Sequence, residues 1–213
     1  MNRTFNFSAG PSTLPLSVLE EVGRNISNYK GSGMSVMEMS HRSPSYMQIQ
    51  EEMIALLKEL MAIPDNYQVL LLQGGASSQF ASIPLNLLDE SRKADYIISG
   101  NFSTKAYEEA LKYGDIQVIA SSKSDNFTRL PEIDLSLIRP DASYVHMCSN
   151  NTIYGTRFRP DSIPQTGSIP LVVDMSSNIL SESYDITQFG LLYAGAQKNL
   201  GPAGLTIVII RND

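Results

Sequence analysis

Seven short runs rich in Val, Ile and Leu recur along the chain, at 69–73, 95–99, 116–120, 143–148, 171–174, 191–194 and 205–210, and several are apolar at nearly every position. A strand wetted on one face alternates, so near-continuous runs of this length fit strands covered on both faces. Helical periods lie between some of them. The stretch 45–61 sets Met47, Met53, Ile54, Leu57, Leu60 and Met61 along one stripe, 78–88 carries Phe80, Ile83, Leu87 and Leu88, and 103–113 follows Ser103, which suits an N-cap. Strand and helix patterns in alternation predict an α/β three-layer sandwich around a seven-stranded, mostly parallel sheet. No repeat, low-complexity stretch or Gly/Ser linker divides the 213 residues, so one domain with an N-terminal arm is expected.

Charge and composition narrow the function classes. Sixteen Lys and Arg against 22 Asp and Glu give a net charge of −6, with no basic block to attract nucleic acid or an anionic membrane. The longest apolar runs are too short to span a bilayer, and the opening Met1-Asn2-Arg3-Thr4-Phe5-Asn6-Phe7 lacks the apolar core of a signal peptide, so a cytoplasmic protein is expected. Cys148 is the single cysteine and His41 and His146 the only histidines, which leaves no expected metal site.

In parallel sheets chemistry gathers beyond the carboxyl ends of the strands, so the turns after the apolar runs carry the most information. Gln73-Gly74-Gly75-Ala76-Ser77-Ser78-Gln79 joins a strand to a helix through paired glycines; it is either a tight turn or a cradle of N–H and O–H groups for a phosphate. Gly100-Asn101-Phe102-Ser103 sets an aromatic ring at the mouth of the sheet, where it either joins the core or stacks on a flat heterocycle. Leu171-Val172-Val173 runs into Asp174, either a helix cap or a carboxylate for a cationic ring nitrogen. Lys198 stands among small residues in Ala194-Gly195-Ala196-Gln197-Lys198-Asn199 rather than on a charged face. Joined to Asp174, the glycine cradle and Phe102, it has the chemistry of a Schiff-base lysine for pyridoxal phosphate.

These residues carry a resemblance. Phe5-Asn6-Phe7-Ser8-Ala9-Gly10-Pro11, Ser35-Val36-Met37-Glu38-Met39-Ser40-His41-Arg42, the Gly74-Gly75 turn, Ser149-Asn150-Asn151-Thr152-Ile153-Tyr154-Gly155, and Tyr193 through Gly204 together resemble the phosphoserine aminotransferases, fold-type-I pyridoxal-phosphate enzymes of class V. The resemblance implies that Lys198 bears the cofactor and moves the substrate's α-proton, and that Asp174 faces the pyridine nitrogen. It also implies that Ala76, Ser77 and Gln197 bind the cofactor phosphate, that Thr152 lies beside the ring hydroxyl or the carboxylate next to it, and that Phe102 stacks where many members carry tryptophan. His41 and Arg42 stand where the family meets its acidic substrates. Some members carry Arg at the position of Ser77 and Ser at that of Ala9, so part of the anion recognition must come from elsewhere.

The implied reaction is reversible amino transfer between L-glutamate and 3-phosphohydroxypyruvate, giving O-phospho-L-serine and 2-oxoglutarate in serine biosynthesis, with a related substrate in pyridoxine biosynthesis for many bacterial members. The implied assembly is a homodimer with shared active sites. Family chains continue into a smaller C-terminal domain that supplies further arginines. This sequence, ending at Asp213, is therefore expected to comprise an N-terminal arm over 1–15 and the large cofactor-binding domain over 16–213, to lack the small domain, and to be a poor catalyst alone. The alternatives are an inactive cofactor-binding fragment or another fold-type-I enzyme, such as an alanine:glyoxylate aminotransferase or a cysteine desulfurase.

Overall fold

The computed structural model describes residues 3–213; the expectations resting on Met1 and Asn2 lie outside them. In chain order the elements are α1 (Leu16–Asn25), α2 (Pro44–Met61), β1 (Tyr67–Leu72), α3 (Gly75–Leu87), β2 (Lys93–Ile98), α4 (Asn101–Ala110), β3 (Asp115–Ser121), β4 (Tyr144–Cys148), β5 (Asn150–Asn151), β6 (Thr156–Arg157), β7 (Leu171–Asp174), β8 (Leu191–Gly195) and β9 (Thr206–Arg211). All seven apolar runs become strands of one sheet, ordered β1-β9-β8-β7-β4-β2-β3. Every pairing from β8 to β3 is parallel, and β9 runs antiparallel between β1 and β8.

The period of two within each run sorts side chains onto two cores. Val145, Met147, Leu171, Val173, Leu192 and Ala194 point to one face, where Leu57 of α2 joins them. Tyr144, Val172, Leu191 and Tyr193 point to the other, against Phe80 and Ile83 of α3 and Ala106 and Ala110 of α4. Small residues on α4 let the helix approach the sheet closely. The central strands β4, β7 and β8 are buried at every position, as both-sided coverage requires.

One local expectation is corrected, and two further local features appear. Ser103 is not the N-cap of α4: the helix begins at Asn101, and the Ser103 hydroxyl, inside its first turn, accepts the N–H groups of Ser99 and Gly100 at 3.0 Å each. The polar loop after β4 folds as the hairpin β5–β6. The N-terminal region contains α1, a helix with no buried residue that exposes Val18, Leu19 and Val22.

Candidate active site

The carboxyl ends of β4, β7 and β8 and the amino ends of α3 and α4 converge on a cleft of about 110 Å³ lined by Ala76, Ser77, Phe102, Thr152, Asp174, Gln197 and Lys198 among others. These are the seven residues singled out from sequence for a cofactor. A larger hollow of about 380 Å³ beside Leu60 and Tyr184 has Glu182 as its one charged lining group, and Arg157 already pairs with it.

Each wall has a local cause. Gly74 and Gly75 take φ of +95° and +65°, and a Cβ on Gly74 would fall 2.2 Å from the Ser78 hydroxyl, so only glycine lets the chain turn from β1 into α3 here. The turn sets Gly75, Ala76 and Ser77 at the start of α3 in the lining of the cleft; their amides lack acceptors within the helix and lie at the positive end of its dipole. Gly100 works differently: a Cβ there would lie 2.5 Å from Asn151 Oδ1, so its absence lets the loop after β4 reach the start of α4. That approach brings Thr152 and Phe102 to one cleft.

Lys198 reaches into this space. Its Nζ lies 3.3 Å from Thr152 Oγ1 and 4.8 Å from the centre of the Phe102 ring. The N-terminal arm fixes the loop that carries it. Ser12 N–H donates to Gln197 O at 3.0 Å, the Ser12 hydroxyl donates to Lys198 O, and Gly10 passes so close that a Cβ would sit 3.3 Å from Lys198 Cγ. Among the described residues lining the cleft, Lys198 is the sole cation.

Asp174 ends β7 with its side chain buried. Burial pushes its carboxyl above the ordinary carboxylate range, opposed by hydrogen bonds from the Ser176 side chain and N–H, by the positive charge of Lys198 and by the Tyr193 hydroxyl. The residues after it form turns rather than a helix, so Asp174 caps no helix; its Oδ1 accepts Ser176 N–H at 2.9 Å. Burial, and then the Asp174 charge, push the neighbouring Cys148 thiol up, which leaves it a neutral packing group.

His41 and Arg42 are not in this cleft. They sit exposed on the turn before α2, where Arg42 N–H donates to Ser40 Oγ at 3.2 Å. Glu38, four residues before Arg42, accepts the Ser35 N–H at 3.0 Å in a capping box. Sequence reasoning missed Ser176, whose N–H braces Asp174 and whose Oγ accepts Gly195 N–H at 3.0 Å, and the Asn150–Ser177 bond of 2.8 Å beside it. Asp174 followed two residues on by serine is an Asx-turn signal that could have revealed the brace.

A flat cationic ring bearing a phosphate fits this donor set: the first residues of α3, a buried carboxylate, an aromatic ring and an amine line one cleft. Residues 4–213 match the family model of aminotransferase class-V. The phosphoserine aminotransferase of Bacillus cereus (strain ATCC 14579) is 58% identical over all 213 residues, which cover 59% of that protein, and that of Nitrosomonas europaea is 54% identical, also with 59% of its length covered. The solved phosphoserine aminotransferase from Bacillus circulans subsp. alkalophilus superposes with a TM-score of 0.94 at 49% identity, covering 99% of this chain and 58% of that one. The pyridoxal-phosphate-bound enzyme from Trichomonas vaginalis superposes at 0.92 with 37% identity, covering 99% and 59%. The chain thus spans about three-fifths of the length of these relatives, and it belongs to the aminotransferase class-V family.

Proposed function

We propose that this chain binds pyridoxal phosphate and serves amino transfer between L-glutamate and 3-phosphohydroxypyruvate, the reaction of a phosphoserine aminotransferase, in the cytoplasm. The observation that carries this is Lys198 Nζ, held by Thr152 and the Phe102 ring in the same cleft as the buried Asp174. When bound, the cofactor supplies an electron sink for the bonds at a substrate's α-carbon.

The chain's own groups do the rest. The first N–H groups of α3 at Ala76 and Ser77, with Gln197, bind phosphate oxygens. Asp174 would hold a proton on the ring nitrogen through a charge-assisted bond, Phe102 would cover the ring face, and Thr152 would steady Lys198 or a ring oxygen. Lys198 would hold the cofactor through its amine and, with that amine free, would move the proton at the substrate's α-carbon as general acid and base. Of the arm expected over 1–15, Gly10 and Ser12 brace the lysine loop, and 16–213 serve as the cofactor-binding domain.

With Lys198 the sole cation of the lining, the substrate's two anionic groups need clamps from outside the cleft. His41 and Arg42 supply one to the cleft of a second copy in a homodimer, where a guanidinium suits phosphate or carboxylate. Positioning of the α-carbon depends on these clamps, so turnover by this chain alone is expected to be slow.

The test is a half-reaction. The chain loaded with pyridoxal phosphate should lose its visible band on addition of L-glutamate and release 2-oxoglutarate in equal amount, and 3-phosphohydroxypyruvate should then yield phosphoserine. Cofactor binding with no exchange would make the chain a binding module.

A further inference from the structure

Behind Asp174 lies a buried polar chain that the proposed reaction does not itself use. Asp174 and Tyr193 are direct partners in the parallel pairing of β7 with β8, and His146 stands on β4, the other neighbour of β7. His146 and Tyr193 are 1% and 0% exposed, and His146 Nε2 lies 3.0 Å from the Tyr193 hydroxyl. That hydroxyl is near enough to the Asp174 carboxylate to favour its charged form, and the two residues are register partners on one face of the sheet. The His146 ring stacks on Tyr96 with centroids 4.7 Å apart, while the Tyr96 hydroxyl is occupied by that of Tyr144 at 3.0 Å.

The remaining nitrogen, His146 Nδ1, is buried with no partner. This fixes the direction of the chain. A proton on Nδ1 would leave a buried N–H donor unsatisfied and make Nε2 an acceptor, drawing the Tyr193 proton away from Asp174. A proton on Nε2 leaves only a bare lone pair at Nδ1, and the Nε2–H donates to the Tyr193 oxygen, freeing the Tyr193 O–H to donate to Asp174. Buried polar groups are nearly always paired, and a one-sided histidine at this position needs a use for the side that is paired.

We propose that Tyr193 is a positioning residue for Asp174, with its hydroxyl aimed at the carboxylate by neutral His146 in the Nε2–H tautomer. The inference rests on Asp174 being the partner of the cofactor's ring nitrogen. A carboxylate held from behind by an O–H donor is kept acceptor-only and oriented, as outer hydrogen bonds orient the ligands of metal sites. The groups facing His146 are the phenols of Tyr96 and Tyr193, and burial holds its pKa down at about 3.

Two measurements test this independently. Nitrogen-15 NMR of the cofactor-free chain, assigned with a His41→Gln variant because the chain holds two histidines, should place the His146 proton on Nε2 from about pH 8 to about pH 5. A proton on Nδ1 overturns the proposal. The second compares affinity for pyridoxal phosphate with affinity for its 1-deaza analogue, which has carbon in place of the ring nitrogen. Tyr193→Phe should weaken pyridoxal phosphate about tenfold and the analogue less than about twofold, with His146→Leu behaving alike and His146→Gln, which keeps an N–H donor, restoring most of the loss. Equal weakening of both ligands would assign Tyr193 to packing alone and overturn the proposal. If the unaltered chain bound no pyridoxal phosphate, the cofactor reading would fail, while the NMR result would still decide the direction of the relay.

Discussion

Replacing Asp174 by Asn separates what the buried carboxylate costs the fold from what it does for the ligand. Asparagine is nearly isosteric, and its amide oxygen can still accept the Ser176 N–H that lies 2.9 Å from Oδ1. Burial disfavours the charge at this position, so removing it relieves a penalty, and the cofactor-free variant should unfold at the same temperature as the parent or higher. Ligand binding should move the other way. A hydrogen bond to a charged partner contributes about 1.5–3 kcal/mol, so exchanging carboxylate for amide opposite a cationic ring nitrogen should weaken pyridoxal phosphate roughly ten- to hundredfold. Turnover should fall by more, because the ring nitrogen would no longer be held protonated. Thermal unfolding of the free chain and equilibrium dialysis with the cofactor read the two effects separately. A variant with unchanged affinity and a lowered unfolding temperature would refute the reasoning and make Asp174 a structural turn residue.

Other outcomes follow from the same structure. The fully buried Asp95 carboxylate receives Arg139 Nε at 2.8 Å and Arg139 N–H at 2.7 Å, so Arg139→Met should cost about 3–5 kcal/mol in urea unfolding, and a loss below about 1 kcal/mol would contradict the buried-pair assignment. Burial lowers the His146 pKa from 6.5 to about 3, so unfolding binds a proton in this window. Stability should therefore fall as pH drops below about 6.5, the loss approaching about 5 kcal/mol near pH 3. The raised carboxyl of Asp174 works in the opposite sense, favouring the fold at low pH, so the His146 contribution is the difference between parent and His146→Gln titrations; parallel curves would refute it. Arg42→Ala, on an exposed turn, should leave unfolding and cofactor affinity unchanged but raise KM for the phosphorylated substrate at least about tenfold in an actively turning-over enzyme, and an unchanged KM would remove Arg42 from substrate binding.

The strands were legible because each is buried on both faces, which writes burial into nearly every residue of a run such as Leu171-Val172-Val173. Strand direction leaves no such trace: Thr206–Arg211 reads like its neighbours, yet β9 alone runs antiparallel. Helix α1 was overlooked although Leu16, Leu19, Val22 and Ile26 keep a helical spacing, because Pro15 and the preceding polar stretch read as arm. Ser103 misled because a serine inside the first turn can serve the same N–H groups as one at the cap. The cofactor cleft was legible because its residues follow strand ends, where a parallel sheet gathers them. His146 and Tyr193 were not singled out for function, since a polar residue inside an apolar run reveals its partner only once strand order is known. The exposed setting of His41 and Arg42 was hidden for a related reason, as their motif specifies chemistry and not the surface it serves.

The most direct test of the account is which lysine takes the cofactor. Lys105 is a real competitor, with its Nζ 6.0 Å from the Phe102 ring centre against 4.8 Å for Lys198. Lys198, however, lines the cleft with Asp174 and bonds Thr152, while Lys105 is exposed on α4. Borohydride reduction of the chain loaded with pyridoxal phosphate, followed by peptide mapping, should leave the pyridoxyl label on Lys198 and none on the Lys198→Ala variant. Label on Lys105 or Lys123, persisting in that variant, would contradict the assignment and the site built on it.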